Sequence, residues 1–246
     1  MHSAVPQPAT KIDIPAIVLC GGKSSRMAER TQNKVPKHLL GVGGKRIIDH
    51  VIEPFVAAPK IILATGVHGE KVAAHAKATH PKLPIALSHR ETPQGVIAAI
   101  HDAVEEHAVV GSFMITSGDE VISGLNVAEF LSDHRLSQKA ASLVVSSQIK
   151  TVPDFGFMFD EKHNATNLAR NHESAIAEAR HYGSGTFVLH TDTLPLMREQ
   201  PSWEQFVRTM IDQQALHCHV TDQPFFNLNT PEELALFEQT VTPLSA

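Results

Sequence analysis

The chain has 246 residues, 42% of them hydrophobic and 19% charged, with a formal net charge of −5. That is enough apolar sequence for a buried core without staples, and the acidic balance argues against general nucleic-acid binding. No apolar run reaches the roughly 18 residues of a membrane span. Residues 1–13 include Pro6 and Pro8 and lack a secretory pattern, so they read as a flexible lead-in to a single domain over 14–246. The two cysteines, Cys20 and Cys218, sit in apolar strand-like segments and cannot supply a disulfide framework, which predicts a reducing, cytoplasmic setting.

The apolar run Ala16 to Cys20 reads as a buried strand that opens into the glycines Gly21 and Gly22. Arg46 to Phe55 has a helical pattern, Lys60 to Thr65 is a second buried strand, and Gly69 to Thr79 is helical. Ile85 to Ser88 is a third strand, Gly95 to His107 a strong amphipathic helix, and Phe113 to Ser117 a fourth strand ending in Gly118-Asp119. Strands alternating with helices predict an α/β, Rossmann-like, mixed but mostly parallel sheet with helices on both faces.

The second half is richer in strands. Ser142 to Ser146, Phe155 to Phe159, Gly185 to Leu189 and Leu216 to Val220 all read as strands, with a polar turn at Asp160 to Asn164. Helices are predicted at Thr191–Arg198, Trp203–Gln213 and Pro231–Gln239, the last capped by Thr230. Histidine is frequent, at 16, but scattered. In His217-Cys218-His219, alternation puts both imidazoles on one strand face, and a solvated face is expected there rather than a zinc site.

The first glycine loop carries the chemistry. A loop after the first strand of an α/β sheet lies at the carboxyl edge, where ligands bind. Gly21 and Gly22 let backbone N–H groups approach phosphates, and Lys23, Arg26 and Lys37 add cations nearby, which together make a polyphosphate cradle. A Walker A loop is excluded, because Ile17 and Leu39 stand where its first glycine would precede Gly22-Lys23 or Gly44-Lys45. A dinucleotide fingerprint fails too, since the glycines are adjacent rather than spaced.

Leu19-Cys20-Gly21-Gly22, Arg26-Met27, Pro36-Lys37-His38-Leu39-Leu40 and Gly43-Gly44-Lys45-Arg46-Ile47-Ile48 follow in an order that resembles the nucleotidyltransferases that include sugar-nucleotide pyrophosphorylases. The likeness extends to Gln94-Gly95, Gly118-Asp119, the Gly183-Ser184-Gly185 loop and Asn227-Leu228-Asn229-Thr230-Pro231, running from about Pro15 to Phe237. It implies the nucleotide-diphospho-sugar transferase type of fold, with a nucleotide half near 14–137 and an acceptor half near 138–246. No fused second enzyme or hexapeptide-repeat domain is expected.

The resemblance also implies transfer of NMP from a nucleoside triphosphate to a phosphorylated small molecule, foremost a sugar 1-phosphate, with release of pyrophosphate. Arg26 would hold the triphosphate and Lys37 would stabilise the α-phosphate. Leu19, Gly21, Gly22, Lys23, Gln94 and Gly95 would bind the nucleotide, and Asp119 with Asn227 would hold Mg²⁺. Gly185 and Arg170 would face the acceptor.

Two departures matter. Asn227 stands where many sugar-nucleotide enzymes have an aspartate, although an Asn-x-Asn-Thr-Pro segment resembles the molybdopterin-guanylyltransferase-like branch. Arg170 to Glu173 replaces the family's Glu-Lys pair. A cytidylyltransferase for phosphocholine or an alditol phosphate, a molybdopterin guanylyltransferase relative, and a nucleotide-binding regulator without catalysis therefore stay open. Nucleic acid and membrane are not expected partners, and the base and the oligomeric state are open.

Overall fold

The computed structural model describes residues 11–21, 27, 31, 35–92 and 94–241. In chain order, β1 (Ala16–Cys20) is followed by the short hairpin β2 (Gly41–Val42) and β3 (Lys45–Arg46), then by α1 (Ile47–Ile52), β4 (Ile61–Thr65), α2 (Gly69–Thr79), β5 (Ile85–His89), α3 (Val96–Glu106) and β6 (Ser112–Ser117). After β7 (Glu120–Ile122) and α4 (Val127–Ser137) come β8 (Ala141–Ser146), β9 (Phe155–Phe159), β10 (Ala165–Arg170) and β11 (His181–His190). The remaining elements are α5 (Leu194–Arg198), α6 (Trp203–Asp212), β12 (Leu216–Thr221), β13 (Phe225–Asn227) and α7 (Pro231–Val241).

The main sheet has the order β5-β4-β1-β6-β11-β8-β12. Its neighbours are parallel except at β11, which runs antiparallel to both β6 and β8. The first residues of β11 also pair with β9, so the β9–β10 hairpin extends from one end of that strand. Alternation divides the core between the two faces. Val18, Leu63, Met114 and Val144 pack with residues of α1, α2, α4 and α7. Ile17, Ile62, Ile115 and Leu143 pack with residues of α3, α5 and α6. The central strands β1 and β4 are apolar except for Thr65 at the end of β4, because both their faces are covered. Helices on both faces of a mostly parallel sheet are what the sequence predicts.

Four short pieces lack any periodic signal and appear only in the structure: β2, β3, β7 and β13, none longer than three residues. The helix α4 was also not foreseen; Asn126 caps it by accepting from Glu129 N at 3.2 Å. No helix among the described residues is long and apolar enough to cross a membrane.

The face expected to be solvated at His217 and His219 is instead buried, at 6% and 7% exposure. Both imidazoles reach Asp133 Oδ2 from α4, at 3.0 and 2.9 Å. Burial pushes the Asp133 carboxyl up, but the two imidazole hydrogen bonds outweigh it and hold it below the usual carboxylate range. Alternation placed the two rings correctly on one face. The error lay in α4, which covers that face.

Candidate active site

The carboxyl ends of β1, β4, β5 and β6 meet around a cavity of 310 Å³ lined by Leu19, Gly21, Thr65, Arg90, Gln94, Gly95 and Asp119, among others. Gly95 begins α3 with φ +93°, a conformation that strains any residue with a Cβ. The Gly95 cap supplies no side-chain hydrogen bond to the first turn of α3, which borders this cavity, and the N-terminus of a helix suits anions and polar base edges.

Lys37 sits in a one-turn 3-10 helix, Lys37–Leu39, with 6% exposure. Its Nζ is ion-paired with Asp119 and donates to Asn229 Oδ1 at 3.0 Å. Asn229 Nδ2 donates in turn to Asn227 Oδ1. The pairing of β7 with β13 sets Asn227 across from Glu120, and Leu228 N donates to Asp119 O at 2.8 Å. Two segments more than a hundred residues apart are thus locked together at the end of β6.

A second cavity, of 160 Å³, abuts the first and shares Leu19, Val96 and Ser117 with it. Its wall includes Glu120, Asp154, Phe155, Gly185, Trp203 and Glu204. The consecutive carboxylates Asp119 and Glu120 therefore face one cavity each. Gly185 N donates to the Glu120 carboxylate. A Cβ on Gly185 would come within 2.3 Å of Ser117 Oγ, so only glycine fits this strand position. Burial pushes the Glu120 carboxyl up to about 8, and the nearby Asp119 and Asp154 add to the effect. Burial pulls His38 down to about 4, keeping a neutral imidazole behind Lys37.

A family model described as the MobA-like NTP transferase domain matches residues 16–176, nearly two thirds of the sequence. The chain belongs to this family. Among curated relatives, the bifunctional protein GlmU of Methanococcus maripaludis is 31% identical over 109 residues, which is 43% of this chain and 25% of the relative. GlmU of Methanocaldococcus jannaschii is 29% identical over 164 residues, 65% of this chain and 36% of the relative. A protein named as a glucose-1-phosphate cytidylyltransferase in Bacillus subtilis is 42% identical over 59 residues, 23% of each chain. The chain thus spans no more than about a third of the length of these curated relatives.

Two solved structures share the fold almost end to end. One, described as a glucose-1-phosphate thymidylyltransferase from Bacillus anthracis in complex with a sucrose, has a TM-score of 0.79 at 14% identity and covers 95% of this chain and 97% of its own. The inositol-1-phosphate CTP transferase from T. maritima has a TM-score of 0.72 at 13% identity, covering 96% and 99%. The Rossmann-like fold of the sugar-phosphate nucleotidyltransferases is therefore the fold of this MobA-like chain.

Of the residues singled out in the sequence, Leu19, Gly21, Gln94, Gly95 and Asp119 line the first cavity, and Gly185 lines the second. Lys37 and Asn227 join them through Asp119 and Asn229. Gly22, Lys23 and Arg26 lie outside the described residues. Arg170 is not in either cavity wall. Its Nη1 donates to Glu204 Oε2 at 3.0 Å and its guanidinium lies 5.5 Å over the Phe155 ring, so it braces the second cavity from outside. Sequence reasoning missed Glu120, Asp154, Asn229 and Trp203. Glu120 and Asn229 stood in quoted or adjoining motif positions, but nothing local marked Asp154 or Trp203.

Among the described residues, no group of three or more His, Cys, Asp or Glu side chains could hold a metal ion. The two oxygen donors expected from the sequence, the Asp119 carboxylate and the Asn227 amide, are here engaged by Lys37 and Asn229. Such a pair suits a hard cation whose other positions are filled by phosphate oxygens and water.

Proposed function

We propose that the chain transfers a nucleoside monophosphate from a nucleoside triphosphate to a phosphorylated small molecule, a sugar 1-phosphate in the first instance, and releases pyrophosphate. The observation that carries this reading is the junction of the two cavities at Leu19 and Ser117, with Lys37 held beside it against Asp119. The nucleotide half, 14–137, supplies the first cavity, and the acceptor half, 138–246, supplies most of the second.

The reaction forms a bond from an acceptor phosphate oxygen to the α-phosphorus and breaks the bond from that phosphorus to the oxygen of the leaving pyrophosphate. The nucleophile is already an anion, so no general base is needed. What remains is to hold the two phosphates in line and to neutralise charge. Leu19, Gln94 and Gly95 orient the base and ribose, and Lys37 stabilises the α-phosphate. Gly22, Lys23 and Arg26 cradle the triphosphate. Asp119 and Asn227 would hold Mg²⁺, which supplies charge neutralisation between phosphate oxygens. Asn227 brings no charge, so the substrate phosphates contribute much of the cation's binding.

Thermal unfolding against ATP, CTP, GTP, UTP and dTTP, with and without Mg²⁺, tests this directly. A ligand at about a hundred times its Kd adds about 2.7 kcal/mol, which raises the midpoint of a chain this size by roughly 5–10 °C. One nucleotide should do so in a Mg²⁺-dependent way, and a sugar 1-phosphate should then trigger pyrophosphate release. A nucleotide shift indifferent to Mg²⁺, with no pyrophosphate from any acceptor, would replace the enzyme by a binding-only regulator.

A further inference from the structure

The roles proposed for Lys37 and Asp119 compete. Lys37 is to stabilise the α-phosphate and Asp119 is to hold a cation, yet the two side chains are ion-paired with each other. Lys37 is buried, and an ammonium that keeps a carboxylate beside it has much of its charge cancelled. Asp119 cannot serve the lysine and a cation at full strength together. Once the pair parts, the ammonium sits on a long flexible stem. Its one other partner among the described residues is Asn229 Oδ1, at 3.0 Å.

Asn229 is itself buried and pinned from two sides. Its Nδ2 donates to Asn227 Oδ1, and its backbone N–H donates to Glu233 Oε2 at 2.8 Å. Asn227 ends β13, which pairs with β7, and Glu233 lies in the first turn of α7. Neither anchor involves Asp119, so the Asn229 carbonyl keeps its place when Asp119 turns away. The carbonyl is also neutral. An amide oxygen fixes an ammonium in space and leaves its charge for a phosphate, whereas a carboxylate would fix it and cancel it. We propose that Asn229 is the positioning residue for Lys37, holding its ammonium beside the junction of the two cavities once Asp119 is released from it. This rests on the nucleotidyltransfer reading and deepens it.

A double-mutant cycle on the full chain tests this, read as pyrophosphate release. Asn229→Ala should lower kcat by about 10–10²-fold, the cost of a misplaced reacting group, with both KM values within about threefold. In the Lys37→Ala background the same change should alter kcat by less than about twofold, because there is no ammonium left to place. A merely structural asparagine would cost the same factor in both backgrounds. Asn229→Asp keeps an oxygen toward the lysine but charges it. It should lower kcat comparably, and it covers the case in which Asn229→Ala fails to fold. A second measurement needs no turnover. Mn²⁺ binding is followed by electron paramagnetic resonance without nucleotide. Lys37→Ala, which frees Asp119, should bind Mn²⁺ about tenfold tighter than the unaltered chain or better.

Equal factors in the two backgrounds, or undiminished kcat in Asn229→Asp, overturn the inference. Equal Mn²⁺ affinities overturn it too, because Asp119 would then serve lysine and cation together and Lys37 would need no other anchor. The two ideas fail separately. Turnover in the unaltered chain with equal factors leaves the transferase standing without the positioning role. No pyrophosphate from the unaltered chain with any nucleotide and acceptor removes the transferase, and the inference with it.

Discussion

The two cavities that meet at Leu19 and Ser117 are built from different materials. The first is mostly backbone and loop: strand ends, a glycine with positive φ, and the first turn of α3. Its residues come from βα connections that follow one another closely in the chain. The second is mostly side chain, gathered from β7, β9, β11 and α6. Glu120 and Trp203 share its wall although 83 positions separate them. On the proposed reading, the backbone-built cavity would take what nucleotides have in common, and the wall of particular side chains would select among acceptors.

If that division holds, the residue between the cavities should matter most. Lys37→Ala removes the cation proposed to stabilise the α-phosphate, and loss of one preorganised donor costs ~10²–10³ in turnover. We expect kcat to fall by that factor, read as pyrophosphate release, while circular dichroism stays native and the nucleotide still raises the unfolding midpoint. Wild-type turnover in this variant would end the assignment of Lys37.

Gly185→Ala sharpens the contrast. The added methyl would press on Ser117 Oγ and approach Glu120 Oε2 at 3.0 Å. Overpacking of this kind costs about 1–3 kcal/mol. Because Gly185 and Glu120 line the second cavity and not the first, the acceptor KM should rise about tenfold or more, while the nucleotide-induced shift in midpoint should change much less. A variant that lost nucleotide binding and kept its acceptor KM would show that the cavities are not separable.

The same contrast explains what could be read from the sequence. The glycine loop, Lys37, Gln94-Gly95 and Gly118-Asp119 are local patterns whose spacing carries their meaning, and the strands beside them have apolar centres. Asp154 lies in a loop and Trp203 begins a helix, with no pattern around either. Only the pairing of β11 with β9 and β6, and the packing of α6, bring them together. Arg170 was placed at the acceptor because of its position in the chain, but Glu204 and Phe155 hold it behind the wall. The burial of His217 and His219 was equally invisible, since it depends on a helix with weak amphipathic patterning.

Two buried histidines, one on each side, set a smaller effect on stability. His38 lies behind Lys37, and His134 on α4 meets Ser142 Oγ at 2.8 Å. Burial lowers each to about 4, with Lys37 acting in the same direction at His38, and Arg135 and His217 doing so at His134. Asp119 opposes the shift at the first and Asp133 at the second. The folded chain then binds fewer protons than the unfolded chain between about pH 4 and the unfolded value near 6.5. Their stabilisation is complete above that window and is lost as pH falls through it. Melting curves from pH 4 to 8 should show this decline, and His134→Gln should make it shallower without changing nucleotide binding at pH 7.5. An unaltered decline would mean that other groups govern the acid side.

The smallest effect comes from the cap of α7, where structure and site are joined by a single carboxylate. Thr230 Oγ1 accepts from Glu233 N at 3.2 Å, and Glu233 Oε2 accepts from both Thr230 N and Asn229 N, at 2.9 and 2.8 Å. This is a reciprocal cap whose acidic member also pins the residue that receives Lys37. Thr230→Ala removes only the cap, worth about 1 kcal/mol, so the midpoint should drop by about 2–4 °C with kcat within about twofold. Glu233→Ala should cost a similar midpoint and lower kcat further, because Asn229 loses its anchor while Lys37 keeps Asp119. If both variants lose stability alone, Asn229 is held by Lys37 and Asn227 without help from the helix. If the second loses turnover as well, the cap of a peripheral helix sets the position of the cation between the two cavities.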